Sequence, residues 1–156
     1  MITKELEATK KCCLYASDFH LEMILVPYIK ERLEKTKFVI LTENNLQDTI
    51  KILLDRINLK AKVKKQIIDI GWDTYNKTKL NIIKNYIQNN ENLQIIINGS
   101  HKYVRQINGY LTNIINEKKN INIVDCFCVE DNEVNLESIR DQYKCFLNTC
   151  NLNTFL

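Results

Sequence analysis

The sequence predicts an α/β fold, a single doubly wound three-layer domain in which about five mostly parallel strands alternate with helices. Short runs rich in Ile and Val alternate with longer segments of helical period, as in a parallel sheet that helices cover on both faces. The chain has 156 residues with only three Gly and one Pro, which favours short connections and one compact domain. We assign residues 1–156 to this domain, with a core over about 11–149 and a short polar tail at 151–156.

Five apolar runs are interpreted as strands, and the third is the shortest and follows a lysine-rich segment. They are Cys12 to Ala16, Phe38 to Thr42, Ile67 to Ile70, Leu93 to Asn98 and Ile121 to Val129. Runs of this length and composition are typical of strands that are buried on both faces.

Five helices are predicted from apolar residues at helical spacing. The first has Asp18 as its expected N-cap and should be kinked or shortened by Pro27. The apolar stripes, in chain order, are Leu21, Ile24, Leu25 and Tyr28; Leu46, Ile50, Leu53, Leu54 and Ile57; Leu80, Ile83 and Ile87; Val104, Ile107, Leu111, Ile114 and Ile115; and Ile139, Tyr143, Phe146 and Leu147.

Charge and composition favour a cytoplasmic protein without a nucleic-acid partner. The net charge is +3 without a block of like charges, and the lysines between Lys60 and Lys65 are typical of a solvated face. The N-terminus lacks the pattern of a signal peptide, and no apolar run reaches the ~20 residues that cross a bilayer. The oligomeric state is left open.

The turn after the first strand, where many doubly wound domains bind phosphate, reads Ala16-Ser17-Asp18-Phe19-His20. It has no glycine, and Asp18 would repel a phosphate. The sequence therefore predicts no classical nucleotide site and no cofactor.

Other ligands of open parallel sheets bind beyond the carboxyl ends of the strands. The residues that we predict to bind a ligand there are Asp18, His20, Glu43, Trp72, Asn98, His101 and Glu130. Helix capping is the competing role for Asp18, whereas Asn44 or Asn45 can cap the second helix and leave Glu43 free. The spacing of the two histidines matches no metal motif, so no metal ligand or catalytic residue is assigned.

Six cysteines occur without a C-x-x-C pair, and core packing is the favoured role. Cys126 and Cys128 should share one strand face, with Cys13 in another strand, so a thiol cluster with a redox role is the alternative.

The order of features resembles the MEDS sensory domains, which are degenerate RecA-like modules without a phosphate-binding loop. The resemblance rests on Leu14-Tyr15, Asp18, a long helix through Glu22, Pro27 and Tyr28, the run Phe38 to Glu43, the strand Ile123 to Phe127 and the helix Ile139 to Leu147. In that family a histidine tends to open the first strand, whereas this sequence has Lys11-Cys12. The resemblance implies a RecA-like fold, and a flavodoxin-like fold is the alternative form of the doubly wound domain.

The first functional hypothesis is a non-catalytic regulatory or sensory domain that binds a small molecule or a protein partner at the strand-end face. The alternative is a small enzyme in which His20 or His101 acts with a nearby carboxylate in acid-base chemistry. Whether the chain is an enzyme stays open at this point.

Overall fold

The computed structural model describes residues 10–115 and 120–147, which form one parallel sheet between two layers of helices. The strands are β1 (Lys10–Tyr15), β2 (Lys37–Thr42), β3 (Leu93–Gly99) and β4 (Ile121–Cys128). The helices are α1 (Asp18–Lys30), α2 (Gln47–Arg56), α3 (Ala61–Asp69), α4 (Lys77–Gln88), α5 (His101–Ile115) and α6 (Leu136–Gln142). The predicted α/β class is confirmed.

The four described strands lie in the order β1-β4-β3-β2, and every neighbouring pair is parallel. Strand β2 pairs with β3 and not with β1, which distinguishes this sheet from the flavodoxin-like order 2-1-3-4-5. No helix within the described ranges is long and apolar enough to cross a membrane.

Two hydrophobic layers fill the spaces on either side of the sheet. Helices α1, α2 and α3 cover one face, over Cys13, Ile40, Ile96 and Val124. Helices α4, α5 and α6 cover the other face, which is formed by the alternate strand residues, Ile95 and Ile123 among them. The alternation of side chains along each strand therefore supplies both layers.

The predicted third strand is wrong, because Ile67 to Ile70 belongs to the end of α3 and the turn after it. Val63 and Ile67 are four residues apart and contact the core, whereas Lys62 and Lys65 are exposed. Spacing of this kind places apolar groups on one side of a helix only. The described sheet has four strands, one fewer than predicted.

The predicted fifth helix is too long, since α6 ends at Gln142. Phe146 forms an isolated parallel bridge with Cys12, where the Cys12 amide donates to the Cys145 carbonyl and the Leu147 amide donates to the Cys12 carbonyl, both at 2.9 Å. Strand β1 is at the edge of the sheet and has unpaired backbone groups that this segment satisfies. The predicted tail at 151–156 lies outside the described residues.

The first helix begins differently from the prediction. Its N-cap is Ser17, whose side chain accepts from the His20 amide, and Asp18 is the first helical residue. The helix continues past Pro27 to Lys30, and Pro27 is buried.

A buried carboxyl group lies between α1 and α2. Glu22 is 0% exposed, its Oε1 accepts from the Thr49 hydroxyl, and its buried Oε2 has no hydrogen-bond partner among the residues that the structure describes. Burial raises the pKa of Glu22 to about 7, with Asp18 raising it further and the Thr49 bond opposing the rise. Folding therefore favours the protonated form of this group.

This pKa predicts that the wild-type protein loses stability as the pH rises from about 4.5 through about 7, because the folded state binds the Glu22 proton more tightly than the unfolded state. The loss should be on the order of 1–3 kcal/mol. Glu22→Gln, a neutral isostere, should remove this component and be more stable than wild type above pH 7. Urea unfolding at several pH values measures it.

Glu34→Gln is the matched control, since Glu34 is exposed on the connection after α1. Parallel stability-versus-pH curves for wild type and Glu22→Gln would show that Glu22 does not titrate in this range.

Candidate functional site

The carboxyl ends of β1, β2 and β3 are joined by hydrogen bonds that centre on the buried amide of Asn98. The Tyr15 hydroxyl donates to Asn98 Oδ1 at 2.5 Å, and Asn98 Nδ2 donates to Thr42 Oγ1 and to Asn44 Oδ1, each at 3.1 Å. Asn44 Nδ2 in turn donates to Asp18 Oδ2 at 2.9 Å. We call these five residues the strand-end network; it links three strands to the first turn of α1.

The turn after β1 uses its own side chains to bind its backbone amides. His20 Nδ1 accepts from the Ala16 amide at 2.9 Å, and Ser17 Oγ accepts from the His20 amide at 3.2 Å. A phosphate-binding turn needs such amides free to point at the ligand. Asp18 adds a carboxylate where a phosphate would bring further negative charge, so this turn is unsuited to a polyphosphate.

Glu43 is exposed, as predicted, but it also has a structural contact. Its Oε1 accepts from the Ser100 amide at 2.9 Å, just before α5, while Ser100 Oγ accepts from the Tyr103 amide at 3.2 Å. The second helix does not need Glu43, because Asn45 Oδ1 accepts from the Gln47 amide. The prediction that the second helix does not depend on Glu43 is confirmed, but Glu43 also holds the first amide after β3.

Glycine is required at position 99 by the close approach of β2 and α5. A Cβ atom there would lie 2.5 Å from Tyr103 Cδ1 and 2.8 Å from Glu43 Cβ. This contact places the Glu43 carboxylate beside the first amide after β3.

The structure separates the other predicted site residues. Trp72 is 0% exposed and its indole donates to the Ile67 carbonyl at 2.7 Å, so its side chain belongs to the core. Only its backbone is near the end of β2, where its carbonyl accepts from the Leu46 amide at 2.9 Å. The His101 ring lies 5.7 Å from the Phe127 ring, and the His101 amide donates to Asp131 Oδ2 at 3.4 Å. Glu130 is exposed on the turn after β4.

The structure thus brings together Asp18, Glu43 and Asn98. Neither histidine side chain forms a hydrogen bond with a carboxylate within residues 10–115 and 120–147: the partner of His20 is the Ala16 amide, and His101 contacts the Phe127 ring. The same described residues contain no group of three or more His, Cys, Asp or Glu side chains that could hold a metal ion.

A buried carboxylate that the sequence analysis missed lies on the opposite face of the sheet from α1. Asp125, in β4, is 1% exposed, and it accepts from Asn108 Nδ2 at 2.9 Å and from the Tyr143 hydroxyl. Burial raises its pKa, while Lys10 and the two hydrogen bonds oppose that rise. The signal was a single charged residue inside a largely apolar strand.

Three buried cysteines are residues of strands β1 and β4. Cys12, Cys13 and Cys126 are buried, Cys128 is half-buried and Cys145 is exposed, all as free thiols. Cys13 and Cys126 are opposite each other in the β1-β4 register. Burial raises the pKa of the Cys12 and Cys126 thiols, which disfavours the reactive thiolate.

No family model matches the chain, and no curated protein or solved structure is significantly similar to it.

Because side chains of the turn after β1 already bind the Ala16 and His20 amides, we expect no measurable affinity for magnesium-ATP or magnesium-GTP. The measurement is isothermal titration calorimetry with each nucleotide. A dissociation constant tighter than roughly 100 μM, near −5.5 kcal/mol, would contradict the interpretation of this turn.

Thiol burial predicts a clear order of reactivity in the native protein. Among the cysteines that the structure describes, Cys145 should react first with a thiol reagent, and Cys12, Cys13 and Cys126 should react only on unfolding. Cys150 lies outside the described residues. Mass spectrometry after timed labelling gives the order; fast native labelling of Cys126 would favour the redox alternative.

Proposed function

We propose that this chain is a non-catalytic regulatory or sensory domain of the cytoplasm, similar to the MEDS domains, that binds a protein partner at its strand-end face. The observation that carries the proposal is the β1 turn, whose Ala16 and His20 amides are bound by the chain itself. A RecA-like domain with this turn has no means of holding a nucleotide and keeps its strand-end face for another ligand.

The charge of this face supports a basic partner. Four carboxylates lie at the strand ends, from Asp18, Glu43, Glu130 and Asp131, and all four are exposed or half-buried. An acidic surface of this kind attracts Lys and Arg side chains and accelerates their association.

Exposed apolar side chains beside these carboxylates favour a protein over a small molecule. Phe19 is 41% exposed and Val129 is 39% exposed, and the Val129 amide donates to the Tyr15 carbonyl at the end of β1. Large apolar groups surrounded by polar ones are typical of protein interfaces. The partner is thus a basic segment that also carries apolar side chains.

The strand-end network makes this face rigid before binding. Asn98 is fully buried and its amide bonds to residues of both β1 and β2. A preordered surface loses little conformational entropy on association, which favours affinity.

The alternative, acid-base chemistry at His20 or His101, has less support. His20 Nδ1 is already an acceptor for the Ala16 amide, and the His101 side chain contacts the Phe127 ring. A general base needs its proton donor within hydrogen-bond reach and an orienting partner.

The double variant Glu43→Gln with Glu130→Gln should weaken partner binding at least about tenfold, because it removes two charges that attract the basic segment. Glutamine at position 43 keeps an oxygen for the Ser100 amide, so the melting temperature should change little. The measurement is quantitative affinity purification of native partners with cross-link mapping, at two salt concentrations.

Asp55→Asn is the matched control, since Asp55 is exposed in the last turn of α2 and should not contribute to this face. Equal recovery of salt-sensitive partners by the wild type, the control and the double variant would rule out the strand-end face as the binding surface.

A further inference from the structure

A cavity of about 360 Å³ lies between α5 and α6, on the sheet face opposite α1. Val104, Phe127 and Ile139 form its apolar part, and Asp125 of β4 is among the residues that line it. Its volume falls at the lower end of the range for small-molecule sites, about 300–1,000 Å³. A ligand of few heavy atoms fits this space.

Asp125 has acceptor capacity left for a ligand. Its two oxygens accept one hydrogen bond each, from Asn108 and Tyr143, whereas an ionised carboxylate has about four acceptor positions. Lys10 Nζ donates to Asn108 Oδ1 at 2.9 Å and so fixes the Asn108 amide that faces Asp125. The carboxylate is therefore held in place, and because it is 1% exposed, a ligand would have to displace one of its two donors to reach it.

Cationic side chains line the same cavity. His101 and Arg105 are one helical turn apart on α5, and Lys10 comes from β1. Arg105 has no salt bridge with any residue in the described part of the chain. An unpaired guanidinium at a cavity is a ready site for a carboxylate, which it binds with two parallel hydrogen bonds.

We propose that this cavity binds a small zwitterion of the amino-acid type, with its carboxylate at Arg105 and its ammonium group at Asp125. A simple anion would meet the charges of Asp125 and Glu133, and a simple cation would meet those of Lys10 and Arg105. Only a ligand with both charges satisfies the two sets of side chains. The proposal concerns a different surface from the partner face and stands independently of it.

A purely structural role competes for Asp125, because its bond to Tyr143 helps to hold the end of α6 against β4. That role involves Asn108 and Tyr143 and does not involve Arg105, which is exposed. Replacing Arg105 therefore distinguishes a ligand site from a purely structural role of Asp125.

The experiment is a ¹H-¹⁵N NMR titration of the whole chain with each of the twenty L-amino acids at up to ~10 mM, which detects weak binding. We expect at least one amino acid to shift the amides of Asn108 and Ser138, both in the cavity wall. Arg105→Met should weaken that binding about tenfold or more, because a charge-assisted contact is lost. Lys102→Met, an exposed position on the same helix outside the cavity, should leave it unchanged.

The deaminated acid and the decarboxylated amine of the best amino acid complete the test, and both should bind at least about tenfold more weakly. The proposal is overturned if no amino acid shifts these amides, if Arg105→Met binds as well as wild type, or if either analogue binds as tightly. The Glu43→Gln and Glu130→Gln double variant should bind the amino acid normally, which keeps this result apart from that for the partner face.

Discussion

The buried amide of Asn98 is the interaction on which the strand-end face depends. One side chain accepts from Tyr15 of β1 and donates to Thr42 and Asn44 at the end of β2, although β1 and β2 are at opposite edges of the sheet. A buried amide without partners costs about 1–3 kcal/mol, so the network has to form as a whole. The position of the Asp18 carboxylate follows from it through Asn44.

The two binding surfaces proposed for this domain use different parts of it. The partner face uses exposed carboxylates with Phe19 and Val129, whereas the cavity places Asp125 beneath α5 and α6. His101 lines the cavity and its amide contacts Asp131, on the turn after β4 that also carries Glu130. The turn after β4 therefore lies between the proposed cavity ligand and the proposed partner face.

Sequence patterns were sufficient for the α/β class, for the four strands and for the placement of Asp18, Glu43 and Asn98 at the strand ends, because buried strands and the residues after them have clear signatures. They failed at Ile67 to Ile70, since a short apolar run is the same in a strand and in a helix. Trp72 was misplaced because its burial depends on packing by α3, and Phe146 because pairing with β1 is a long-range contact. Asp125 was missed since nothing local shows which helices cover a strand.

The most direct test of the central role of Asn98 is native-state hydrogen exchange of Asn98→Ala beside the wild type. Loss of the amide leaves the Tyr15 hydroxyl without its acceptor and removes one hydrogen bond each from Thr42 and Asn44. The account therefore predicts that the amides of Glu43, Ser100 and His20 lose at least about tenfold more protection than those at the centres of β3 and β4. An equal loss at the strand ends and at the strand centres would contradict it, because the network would then contribute only to global stability.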